Sequence, residues 1–128
     1  MDTMADKQTI LLVEDDEFLA ELYATKLNLE GFDVILATDG EKGLRMAKTD
    51  NPKLILLDII LPKKDGFEVL KLLKADSATK NIPVILLTNL SQRDEVKKGI
   101  DLGAEDFLIK AHFMPSEVVK KITQTLQK

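Results

Sequence analysis

ILLVEDDEFLAELYATKLNLEG, Ile10 to Gly31, holds a short apolar run, three consecutive acids and an amphipathic stretch that ends at glycine. Ile10 to Val13 is apolar on every residue, which suits a strand covered on both faces. Phe18, Leu22 and Leu29 then recur at spacings of four and seven, with Glu17, Glu21 and Lys26 on other faces, so a helix is expected to bury that stripe. Glu30-Gly31 supplies its stop. One strand followed by one helix is the unit, and the rest of the chain repeats it.

Further apolar runs fall at Val34–Ala37, Leu54–Leu57 and Val84–Leu87, with a weaker one at Phe107–Ile109. The stretches between them read as helices. Asp39-Gly40 opens a second helix, carrying Leu44 and Ala47, that ends before Asn51-Pro52. Gly66 to Ala75 forms a third, with Leu70 and Leu73 inward. Ser91 is placed as the N-cap of a fourth, with Asp94 three residues on. The last helix starts at Pro115 and repeats Val118, Ile122 and Leu126. Strict alternation of five strands and five helices predicts an α/β fold, a doubly wound three-layer sandwich on a parallel sheet.

The chain has 128 residues, enough for one domain with a real core. Residues 1–128 are read as a single domain with a polar N-terminal extension over about residues 1–8, and no room is seen for an output domain after Lys128. A net charge of −4 argues against direct nucleic-acid binding, which needs a basic face. The absence of cysteine excludes thiolate chemistry. The apolar runs are far too short to span a membrane, and the start lacks the apolar centre of a secretory signal. A cytoplasmic location is expected.

Ligands of open α/β sheets bind beyond the carboxyl ends of the strands. The residues just past the apolar runs are Glu14, Asp15 and Asp16 after the first, Asp58 after the third, Thr88 after the fourth and Lys110 after the fifth. Clustered carboxylates call for a cation, and Mg²⁺ is held by a few carboxylates with waters and phosphate oxygens. A carboxylate beside such an ion can attack phosphorus and form an aspartyl phosphate. Lys110 can neutralise a phosphoryl oxygen and Thr88 can donate to another. Taken singly, each group has an ordinary role: Asp16 reads best as the N-cap of the first helix, and a lysine or threonine after a strand is commonly solvated or capping. All four strand ends carrying compatible groups is what favours a site.

On "ILLVEDD", "LILLDIILPKKDGFEVL", "IPVILLT" and "GAEDFLIK", the chain from Thr9 to Leu126 resembles the receiver domains of two-component response regulators, the single-domain chemotaxis regulators among them. The resemblance implies a flavodoxin-like sheet of order 2-1-3-4-5 and the following roles. Asp58 is the phosphoacceptor. Glu14 and Asp15 are the acidic pair, with Asp15 the direct Mg²⁺ ligand, Mn²⁺ being an alternative ion. The Ile60 backbone carbonyl completes the metal shell. Thr88 is the switch hydroxyl, Lys110 the phosphate-side lysine, and Phe107 the aromatic whose rotamer follows the switch; plain core packing is the competing role for Phe107. Pro62, Asp65 and Gly66 form the turn into the third helix. A sensor histidine kinase or phosphotransfer protein is the implied donor. The face of the fourth helix, fifth strand and fifth helix would meet a downstream protein, in a monomer or a phosphorylation-dependent dimer.

Departures from the family pattern are specific. Ala111 follows Lys110 where proline is usual, so that bond is either cis, at roughly 2.5–4 kcal/mol, or trans with Lys110 entering at another angle. The "HFMP" that follows is one residue longer than the common pattern, and His112 is read as a surface loop residue. Asn89 stands where a small residue is usual. Ile60 and Leu90, two residues beyond Asp58 and Thr88, are apolar and cannot orient an attacking water, so slow self-dephosphorylation is expected. An aspartyl-phosphate phosphatase or phosphotransferase is the rival reading. It is disfavoured because its general acid would fall at Ile60. The receiver part of a longer transcription factor is a further alternative.

Overall fold

A computed structural model describes residues 7–88, 93–110 and 115–127. Its elements are β1 (Thr9–Val13), α1 (Glu17–Leu29), β2 (Asp33–Ala37), α2 (Gly40–Asp50), β3 (Leu54–Asp58), α3 (Gly66–Ala75), β4 (Val84–Thr88), α4 (Arg93–Asp101), β5 (Asp106–Ile109) and α5 (Pro115–Leu126). All strand pairs are parallel and the sheet order is β2-β1-β3-β4-β5. This is the predicted doubly wound sandwich.

Alternation along the central strands builds two cores. Ile10 and Leu12 of β1, Leu54 and Leu56 of β3, and Ile85 and Leu87 of β4 pack with Tyr23 and Leu27 of α1 and Val118 and Ile122 of α5. The intervening residues Leu11, Val13, Ile55, Leu57, Val84 and Leu86 pack with Ala47 of α2 and Val69, Leu70 and Leu73 of α3. A strand buried on both faces needs apolar residues at every position, which is why these runs do not alternate with polar residues. β2 and β5 are the sheet edges and are only partly covered: Leu36 is exposed, and all of β5 is half-buried. The expectation of two apolar-covered faces fails at β2 for that reason.

Helix α1 buries a different face from the one expected. Ala20, Tyr23 and Leu27 point into the core, whereas Phe18 and Leu29 are each 76% exposed and Leu22 is 37% exposed. At 3.6 residues per turn the two stripes lie on opposite sides of the helix. Both are apolar, so periodicity alone does not choose between them. The other boundaries agree with their local chemistry. Asp16, Asp39 and Asp65 each cap a helix by accepting the backbone N–H three residues on. Gly31, with φ of 98°, closes α1 while its N–H and that of Phe32 bond back to the carbonyls of Asn28 and Leu27. The expected cap at Ser91 lies outside the described residues, as do Asn89, Leu90, the Lys110–Ala111 bond and His112.

Two close backbone approaches fix the loop after β3. A side-chain carbon on Gly66 would collide with the Asp58 carbonyl oxygen and lie 2.7 Å from the Ile59 Cα. One on Gly40 would collide with the Lys64 carbonyl. The start of α3 and the start of α2 are thereby seated directly against the segment that follows Asp58.

Leu27→Ala is expected to cost about 2–5 kcal/mol of stability in urea denaturation. Phe18→Ser should stay within about 0.5 kcal/mol, because that ring is already in water. Equal losses from both would contradict the assigned face of α1.

Candidate phosphoacceptor site

Strand register brings the site together. Val13 lies beside Leu57, Asp58 beside Leu87, and Thr88 beside Ile109. The residues at the carboxyl ends of β1, β3, β4 and β5 therefore meet at one edge. Glu14, Asp58 and Thr88 are buried there, and Asp15 is exposed.

Lys110 binds both buried acids. Its Nζ donates to Asp58 Oδ2 at 2.6 Å and lies 2.8 Å from Glu14 Oε1. The second contact is close but not well aligned for a hydrogen bond, so it counts chiefly as an ion pair. Burial opposes the ammonium charge, yet the bonds to Asp58 and Glu14 outweigh it and raise the Lys110 pKa. The other Asp58 oxygen, Oδ1, accepts the Ile60 N–H at 3.2 Å. Glu14 Oε2 accepts the Asp16 N–H at 3.1 Å, and the Asp16 carboxylate caps α1. Asp16 thus has the capping role expected for it.

Glu14 carries the electrostatic strain. Burial pushes its carboxyl up to about 7, assisted by the nearby Asp58 charge and opposed by Lys110 and the Asp16 N–H. One lysine does not compensate two buried carboxylates beside a third acid. Carboxylate oxygens of Glu14, Asp15 and Asp58 lie within 4.8 Å of one another. Two oxygens across a Mg²⁺ ion are about 4.2 Å apart at its normal bond lengths. An all-oxygen set of this size and excess charge fits a hard divalent cation. Ile60 sits at the rim, 60% exposed.

Every described residue predicted at the site is found at this edge except Phe107. Phe107 lies two residues inside β5, half-buried, packed on the core shared by α2 and α3. Its ring is 5.6 Å from Lys121 Nζ. Lys121, midway along α5, was not foreseen from the sequence, and nothing in its spacing marks it.

The family model for the response regulator receiver domain matches residues 10–123. The chain belongs to the response regulator receiver family. It is 40% identical over 119 residues to the DNA-binding dual master transcriptional regulator RpaA of Synechocystis, covering 93% of this chain and 49% of that protein. It is 38% identical over 128 residues to the DNA-binding response regulator MtrA of Mycolicibacterium smegmatis, covering 100% of this chain and 54% of that one. The receiver thus spans about half the length of these curated relatives. The Francisella response regulator 1452 receiver domain superposes with a TM-score of 0.86 at 29% identity, over 94% of this chain and 98% of that one. The receiver domain of sensor histidine kinase PA1611 from Pseudomonas aeruginosa, solved with a magnesium ion in its active-site cleft, superposes with a TM-score of 0.88 at 27% identity, over 95% and 99%. Receiver domains are signalling switches that work with histidine kinases, and this chain is a receiver domain. Among the described residues, no helix is long and apolar enough to cross a membrane.

The raised Glu14 carboxyl sets a pH dependence. Its folded value of about 7 lies above the ordinary 4.5, so the folded protein holds more protons between those values. Stability from this group is complete below the lower value and is lost as pH rises through the upper one. Without divalent ion, the receiver should be less stable at pH 8 than at pH 5. Glu14→Gln should recover about 1–3 kcal/mol at pH 8, and Mg²⁺ should stabilise the wild type more than the variant. Urea denaturation at the two pH values, with and without Mg²⁺, measures both.

Proposed function

We propose that the receiver accepts a phosphoryl group on Asp58 and passes the change to a protein partner. The observation that carries this reading is the Lys110 bridge to Asp58 and Glu14, beside a carboxylate set sized for a cation. Asp58 is held from both sides, with Lys110 on Oδ2 and the Ile60 N–H on Oδ1. An Asp58 oxygen forms a bond to phosphorus while the donor's bond to phosphorus breaks and the donor leaves with its electron pair. Lys110 remains beside the oxygens of the transferred group and offsets their charge. Glu14, Asp15, Asp58 and the Ile60 backbone carbonyl would hold Mg²⁺, or Mn²⁺ in its place. The ion supplies charge neutralisation for the phosphoryl oxygens. Thr88, buried at the end of β4, would donate its hydroxyl to the transferred group, and Phe107 would follow it inward.

A histidine kinase or phosphotransfer protein is the natural donor; small acyl phosphates would serve through the same site. The output is a shifted population of the face formed by α4, β5 and α5, which meets a downstream protein in a monomer or a phosphorylation-dependent dimer. Two of the relatives are named as DNA-binding proteins, and a receiver module within a longer regulator fits their lengths. The receiver itself, with net charge −4, is not the nucleic-acid contact. Residues 1–128 act as one receiver unit, and a cytoplasmic location suits a partner of soluble kinase domains. A phosphatase reading lacks its general acid, because Ile60 stands at that position.

Incubation with acetyl phosphate and Mg²⁺ should add one phosphoryl group by intact mass. Asp58→Ala, or removal of the ion with EDTA, should abolish the addition. Lys110→Met should reduce it by at least tenfold, since about 1.4 kcal/mol lies well within the value of a charge-assisted bond. The phosphorylated form should persist well beyond seconds once the donor is removed, because exposed Ile60 cannot orient a water. Undiminished addition in Asp58→Ala would remove this function.

A further inference from the structure

Residue 107 is tied down from three directions by charges on its own chain. β5 is a sheet edge, and Phe107 faces Leu86 of β4 on its paired side. The Phe107 N–H donates to Asp106 Oδ1 at 2.8 Å, and the Phe107 carbonyl accepts from Lys121 Nζ at 3.1 Å. Lys121 Nζ also donates to the same Asp106 oxygen at 3.2 Å and stands 5.6 Å from the centre of the Phe107 ring. One lysine of α5 therefore closes a small circuit through carboxylate, carbonyl and aromatic face. An edge strand normally leaves such backbone groups open to another chain. Here they are capped at the one aromatic residue of the strand.

We infer that the Asp106–Lys121 pair is a latch that holds Phe107 in its present ring position, making Lys121 a positioning residue for the switch. The inference rests on the receiver reading given above. For the ring to change rotamer, its face must leave the Lys121 cation, while the backbone clamp keeps β5 from following. A cation–π contact at a partly exposed site corresponds to roughly a two- to fivefold change in an equilibrium. Within α5, the Thr125 hydroxyl donates to the Lys121 backbone carbonyl at 2.8 Å. The helix turn beneath the lysine is thereby fixed.

The test uses fluorophenylalanine-labelled protein with the Phe107 signal assigned by Phe107→Leu, followed by ¹⁹F NMR without phosphodonor. Lys121→Met should shift the ring population two- to fivefold toward the position that the wild type reaches with beryllofluoride and Mg²⁺. Lys121→Arg should restore the wild-type position, and Asp106→Asn should move it in the direction of Lys121→Met. Wild-type ring signals in Lys121→Met, with an unchanged melting temperature, would overturn the latch. So would an arginine variant that behaves like methionine. If Lys121→Met does not fold, Asp106→Asn alone decides by the same criterion. The ring signal is read without phosphorylation, whereas the receiver reading fails only if the wild type takes no phosphoryl group at Asp58.

Discussion

A single ammonium group shared between two buried carboxylates organises this molecule's functional edge. Lys110 enters from the end of β5 and reaches Asp58 at the end of β3 and Glu14 beyond β1. Without it, two acids would sit almost unexposed with no cation paired to them among the described residues, a burial that costs several kcal/mol per ion. With it, the cluster is still short of positive charge, and Glu14 shows this by holding its proton up to about 7. The strand ends are therefore stable enough to fold and unsaturated enough to want a cation. That imbalance is the chemical basis of the phosphoryl-accepting role proposed for this edge.

The scaffold exists to keep these groups at one edge. Central strands apolar at every position allow helices on both faces, and parallel pairing puts all the carboxyl ends on the same side. Close backbone contacts at Gly66 and Gly40 seat α3 and α2 against the segment after Asp58. Caps at Asp16, Asp39 and Asp65 start three helices on that side of the sheet. Asp16 does so while its own N–H holds Glu14 Oε2, so the capping acid and the buried acid are positioned by the same turn.

Much of this was legible in the order of residues. Four of the five apolar runs end on a group able to act, and parallel topology converts that one-dimensional fact into convergence in space. The buried face of α1 was not legible, because Phe18, Leu22 and Leu29 form as regular a stripe as Ala20, Tyr23 and Leu27 on the opposite side. Only the packing of Tyr23 and Leu27 on β1 and β3 decides between them. β2 reads as apolar throughout yet is an edge, since strand order depends on pairings distant in sequence. Lys110 could be read as a phosphate-side group from its strand-end position, whereas its partnership with Glu14 joins residues distant in sequence. Lys121 gave no signal for the same reason: its partners Asp106 and Phe107 lie on another element.

Binding of beryllofluoride with Mg²⁺, followed by two-dimensional NMR on the wild type and Asp58→Ala, reads out whether this edge responds to a phosphoryl group. Large shifts are expected at Thr88 and Lys110, with a further change at Phe107, all absent from the variant. Identical spectra before and after addition, or shifts that survive in Asp58→Ala, would contradict the proposed role.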